Sequence, residues 1–248
     1  MNKKIIISNC KKILGAYESG LLGQTVMPEE TNPGLEKMDK ETRLVYFTLP
    51  MSLNYQRDSY KLWQAALKTF QDSKTKDVFD ISCVVKLNAN DLRKKLLKYK
   101  LALQPNKHIN IWQTISNTVY ENWGSLSNLI DEMGEDFLKI KNTVQNDHKK
   151  GFPYISGVKI FNYWSFVLKT YGGVDLKNSQ YIDIAPDTHI TKCSVLLNVI
   201  TEKEASSLSK EEISRRWRTV LDGSDINPID MHPPLWFWSK NGFIFQLN

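Results

Sequence analysis

The sequence predicts an all-α protein, and three observations predict it. Apolar residues recur at spacings of three and four, most clearly at Tyr60, Leu62, Trp63, Ala66, Leu67 and Phe70. Helix-start signals recur too, among them Ser209 with Glu212 three residues on, a capping box. Only one run, Val78–Leu87 (VFDISCVVKL), reads as a strand, and it is short enough to be a buried helix instead. Connections are short, as between packed helices.

Taken in order, Lys3 to Tyr17 forms a short helix that ends in the Gly15 or Gly20 region. Residues 20–40 are rich in Gly, Pro and Glu and read as a loop. Leu44, Val45, Phe47 and Thr48 give Glu41 to Leu49 a helical spacing, which Pro50 then disturbs. Asp58 precedes the amphipathic run named above. Asn90 or Asp91 caps a basic helix that runs to Leu101. Ile109, Trp112, Ile115, Val119 and Trp123 mark a further helix closed by Gly124, and Ser125 opens the short SLSNLIDEM helix. Gly134 separates that helix from EDFLKIKNTVQ. After a central stretch, Thr188 to Ile200 is helical and Ser209 starts SKEEISRRWRTVL. The tail from Asn227 is aromatic and turn-rich.

Composition bounds the function. At 248 residues the chain can bury a proper core, and 41% apolar with 24% charged residues is the balance of a soluble globular protein. The net charge of +6 is compatible with nucleic acid without being a footprint for it. Cys10, Cys83 and Cys193 are scattered, with no Cys-x-x-Cys pair, which excludes a zinc ribbon and a four-cysteine iron–sulfur cluster. A reduced, intracellular and cytoplasmic setting fits that usage. The apolar run IIIS near the N-terminus is too short for a secretory signal, and no segment approaches the ~18 apolar residues of a membrane span. No internal repeat or low-complexity tract interrupts the chain.

Phe152 to Ile190 carries the chemistry. In FPYISGVKIFNYW, Pro153 and Gly157 bracket a tight turn ahead of a helix that Lys159 begins. A turn in that place aims backbone N–H groups outward and binds phosphate without side chains. An ordinary turn between helices has the same residues. Asp187, between Pro186 and Thr188, opens the next helix and is either an N-cap or a carboxylate with work to do.

Together, FPYISGVKIFNYW and IAPDTHITK resemble the core of the helix-hairpin-helix DNA glycosylase superfamily. There a Leu-Pro-Gly-hydrophobic-Gly-x-Lys hairpin leads a helix, and a Val-Asp-Thr-His segment carries the catalytic aspartate. Gly157-Val158-Lys159 falls on the first motif and Asp187-Thr188-His189 on the second. Leu49 to Phe70 is similar to the family's early helix pair, whose polar loop probes the opened base pair. Here that loop is Asn54, Tyr55, Gln56 and Arg57. The likeness spans residues 45–200. Tyr154 and Ser156 depart from the small residues of the motif, and the hairpin holds one extra residue. The separation 187 − 159 = 28 is similar to that of the archaeal 8-oxoguanine glycosylases, which also lack iron–sulfur cysteines. The loop Gly172–Ile184 either lines a base pocket or lies on the surface.

The resemblance implies two helical subdomains with the active-site cleft between them: residues 49–173, ending in the hairpin helices, and 1–48 with 174–248. It implies a monomer that acts on double-stranded DNA and excises a damaged or modified base, by repair of oxidised purines or defence against phage DNA with hypermodified bases. Asp187 is then catalytic, and Lys159 is a Schiff-base lysine or only a solvated lysine of a first turn. Tyr154, Ile155, Ser156, Gly157, Asn54, Gln56, Arg57 and Lys192 would contact DNA, while Trp236, Trp238, His189 and His232 would line the base pocket. Trp112, Trp123 and Trp164 sit at helical spacing and belong to the core. No metal or cofactor is implied, beyond a structural monovalent cation that the hairpin could hold. Two other functions use the same features: a non-catalytic helical DNA-binding protein, and a nucleoside or nucleotide N-glycosidase of the same fold.

Overall fold

A computed structural model describes residues 2–247 and is helical throughout: no strand occurs among the described residues, where β pairing is limited to an isolated bridge between Asp136 and Lys177. In chain order the helices are α1 (Lys3–Glu18), α2 (Lys40–Ser52), α3 (Ser59–Gln71), α4 (Ile81–Val84), α5 (Ala89–Lys98), α6 (Lys107–Trp123) and α7 (Leu126–Glu132). There follow α8 (Phe137–Asn142), α9 (Val158–Thr170), α10 (Thr188–Leu196), α11 (Glu202–Ser207), α12 (Lys210–Leu221) and α13 (His232–Lys240). A π-helical turn, Thr143–Asp147, extends α8.

Most helix starts follow side-chain caps, since a short polar side chain satisfies an otherwise orphaned N–H. Asp39, Asp58, Ser125, Asp187 and Ser209 each accept from an amide of the turn that follows. Three expectations change and one open choice, strand or helix, closes. The cap of α5 is Asn88, whose side chain accepts from both Asn90 and Asp91, so the residues expected to cap are the capped ones. Val78–Leu87 is a 3-10 turn plus α4, because the Asp80 carboxylate caps the amides of Ser82 and Cys83 and diverts the run from strand geometry. Pro50 does not end α2, which runs on to Ser52 at the cost of the one bond that the proline's own N–H would have donated. The aromatic tail is helical: Pro233 and Pro234 occupy the first turn of α13, the one place where a missing N–H is harmless.

The described chain divides into two compact units, Pro28–Ser179, and Met1–Met27 with Gln180–Asn248. Sequence placed the breaks at 48/49 and 173/174, so the short 3-10 turns before α2, and α2 itself, belong with the central unit. In that unit α2 is buried all round from Leu44 on, with Leu44, Val45, Tyr46, Phe47 and Leu49 in the core, and α3, α6, α7 and α9 pack against it. Trp63, Trp112 and Trp164 are fully buried there, while Trp123 is half-buried against His148. In the other unit α1 packs on α12 and α13, and α10 lies on α13, around Ile13, Trp217 and Phe237.

The end of α9 is a close fit. Gly172 donates to the Val167 carbonyl (3.2 Å), and Gly173 turns the chain at φ +73°. A Cβ on Gly172 would meet the Leu168 carbonyl oxygen at 2.7 Å and its Cα at 2.9 Å, both main-chain atoms that cannot step aside. Gly172→Ala is therefore expected to destabilise by roughly 1–3 kcal/mol, as overpacking does. Urea unfolding checks this, and an unchanged midpoint would refute the fit.

Candidate active site

In the unit built from the two chain ends, three buried residues, Ile184, Ala185 and Pro186, anchor the strand-like approach to Asp187. Asp187 is half-buried in extended backbone and caps α10: its Oδ1 accepts from the Ile190 amide at 2.9 Å. The second oxygen, Oδ2, accepts from the indole Nε1 of Trp236 at 3.1 Å. Neither partner is a cation, and Asp187 forms no ion pair among the described residues. The carboxylate is thus held at both oxygens by N–H dipoles with its charge uncancelled, an arrangement able to stabilise positive charge on a bound molecule.

Helix α13 supplies the surroundings. Trp236 and Lys240, four apart, share one face, and the Lys240 Nζ lies 4.5 Å from the indole centroid. The His189 ring meets Trp236 edge-on at 5.5 Å, and its Nδ1 is 3.0 Å from the Ser239 hydroxyl. Of the residues predicted to line a base pocket, Asp187 thus gathers Trp236 and His189. Trp238 is buried, with its indole N–H donating to the Phe245 carbonyl at 2.8 Å, and His232 is buried at the start of α13. The prolines start a helix rather than a run of turns, and as a helix the tail turns Trp238 inward. Lys192 is exposed beside a shallow groove formed with Val195 and Leu196.

The hairpin lies in the central unit. Phe152 and Ile155 are fully buried and pin it down. Tyr154 has φ +70°, left-handed backbone at a position where the resembled motif has a small residue, and its hydroxyl donates to the Asn54 carbonyl. The hairpin's own amides are spent locally: Ser156 donates to Phe152 (2.9 Å) and Gly157 to Tyr154 (3.1 Å). The Gln145 side-chain amide closes it from the π-turn, donating to the Ser156 carbonyl at 3.0 Å. The outward amides expected of the turn therefore belong to the start of α9, where Gly157 stands as N-cap with no side chain to cover them.

In the loop predicted to probe DNA, Gln56 is the exposed tip, with φ +46°. Arg57 is otherwise engaged: its guanidinium donates to the carbonyls of Leu101 (2.7 Å) and Lys100 (2.9 Å), so it braces the loop. Tyr55 takes the Lys107 ammonium over its ring at 4.4 Å and meets Tyr154 edge-on.

Sequence reasoning missed one group. Lys159 is half-buried, and Tyr163, one turn further along the same face of α9, donates to the Glu29 Oε1 at 3.0 Å. Glu29 is 1% exposed, its Oε2 has no hydrogen-bond partner, and the buried indole N–H of Trp63 lies toward it without completing a hydrogen bond. Burial pushes the Glu29 carboxyl up to about 7, only partly offset by its hydrogen-bond donors. Nothing in PEETNPG marks this glutamate as internal, since Gly, Pro and Glu together signal a solvated loop. No cluster of three or more His, Cys, Asp or Glu residues able to hold a metal occurs among the described residues. Comparison with protein-family models and with curated proteins finds no match for this sequence.

Proposed function

We propose that the protein is a DNA N-glycosylase that removes a damaged or modified base from duplex DNA. The observation that carries this reading is the Asp187 carboxylate, held at both oxygens by N–H donors and bare of any cationic partner among the described residues. Breaking an N-glycosidic bond sends the bonding electrons out with the base and leaves positive charge on the sugar. A fixed carboxylate beside the anomeric carbon stabilises that charge and can accept the proton of an attacking nucleophile.

Two further features support it. The uncapped start of α9 suits a phosphate, whose charge complements the helix N-terminus. Lys159, in the same turn, is a candidate nucleophile: its neutral amine would attack C1′ as the base departs, and opening of the sugar would give an imine. The substrate class is an oxidised purine or a hypermodified base, read after it leaves the stack.

The test is incubation with duplexes carrying 8-oxoguanine or 5-hydroxymethylcytosine and with phage DNAs rich in hypermodified bases, the released bases being identified by mass spectrometry. Free base and alkali-labile sites are expected; intact DNA throughout would exclude the function and favour a binding protein. Borohydride added during turnover should trap a protein–DNA adduct by reducing the imine to an amine. Lys159→Ala should abolish trapping, and an adduct that survives this change would remove Lys159 from the chemistry.

A further inference from the structure

We infer that Trp236 is a positioning residue for Asp187 rather than a platform on which the excised base stacks; this rests on the glycosylase reading. Two helices grip the carboxylate. The Ile190 amide of α10 takes Oδ1 at 2.9 Å, and the Trp236 indole of α13 takes Oδ2 at 3.1 Å. With one oxygen held, the carboxylate can still swing about its side-chain bonds; with both held, its plane is set. The second grip matters for a charge that must sit beside one carbon atom, because electrostatic stabilisation is lost when the group wanders.

The indole is itself fixed. Lys240 covers one face at 4.5 Å, His189 meets it edge-on at 5.5 Å and Phe237 at 5.1 Å. His189 is held in turn by Ser239, 3.0 Å from its Nδ1. A cation over the ring draws electron density from it and makes the N–H a stronger donor toward an anion. The same cation occupies one of the two ring faces that a stacked base could use. Lys240, His189 and Ser239 thus act on Asp187 through one ring, and the contact between α10 and α13 sets where the charge stands.

The experiment uses the full chain and a duplex carrying 8-oxoguanine or 5-hydroxymethylcytosine, whichever the wild type processes. Trp236→Phe keeps the ring's bulk and removes the N–H. It is expected to lower kcat on the order of 10–100-fold, as loss of an orienting partner does, with KM unchanged. Lys240→Met should lower kcat less, in the same direction. Asp187→Asn and Asp187→Asn/Trp236→Phe should bind the duplex equally well. A Trp236→Phe protein that keeps its kcat, or a double variant that binds DNA tenfold more weakly, would overturn the inference and restore the stacking role. A wild type that releases no base refutes the glycosylase reading instead. An activity-free arm then still decides the link: the Trp236 indole N–H resonance, assigned by its absence in Trp236→Phe, should move in Asp187→Asn. If Trp236→Phe does not fold, Lys240→Met carries the test, and a Lys240→Met protein that keeps its kcat sinks the inference.

Discussion

Asp187→Asn is expected to stop base release, by about a thousandfold or more, and to leave duplex binding within about twofold of wild type. Asparagine is as good an N-cap as aspartate, so α10 should survive the change. What disappears is the charge, and with it the stabilisation of the sugar cation. A smaller structural penalty comes along. The two donors reach different oxygens, Ile190 one and Trp236 the other, and an amide has one oxygen to offer. Its NH2 must face one of the two N–H groups, which costs roughly 1–3 kcal/mol of stability. Single-turnover release measured beside a binding isotherm on the same duplex separates the effects. A variant that keeps a tenth of the wild-type rate would show that the carboxylate is only a helix cap.

The second large effect concerns Glu29 and pH. Its carboxyl rises to about 7 in the folded chain because burial disfavours the anion, against about 4.5 when unfolded. The sign follows from linkage: the folded state binds this proton more tightly, so the associated stability is complete below about pH 4.5 and is lost as pH rises to 7. Above that it changes no further. The size is on the order of 3 kcal/mol, from about 1.4 kcal/mol per pH unit between the two values. Glu29→Gln keeps an acceptor for the Tyr163 hydroxyl and removes the buried charge. It should therefore raise the melting temperature at pH 8, leave it nearly unchanged at pH 4.5, and flatten the fall between them. Parallel pH profiles for wild type and variant would mean that Glu29 is not buried as an acid.

The helical class and most helix positions were legible in the sequence because they rest on local rules. Asp58 and Ser125 announced their helices, and Gly124 with φ +78° closed α6 as expected of a left-handed residue. The misses have a common origin: a residue that punctuates one context initiates another. Pro233 and Pro234 look like turn formers but fit the first turn of α13, and Asn88 was hidden by better-placed neighbours. Of the candidate site, Asp187 could be found because its role is tied to a helix start. The engagement of Arg57 with Lys100 and Leu101, and the burial of Glu29 under Tyr163, depend on partners 43 or more residues away, for which no local pattern exists.

The unit that holds Asp187 is assembled from the first 27 residues and from those after Ser179, with a complete second unit threaded between. On the ribosome this imposes an order. The central unit is contiguous and can close as soon as it emerges, whereas α1 leaves the tunnel early and has to wait with Ile6, Cys10 and Ile13 uncovered until α12 and α13 are synthesised. Chaperone dependence, and sensitivity to chain truncation past Leu221, should therefore concentrate at the aspartate-bearing half and spare the hairpin-bearing one.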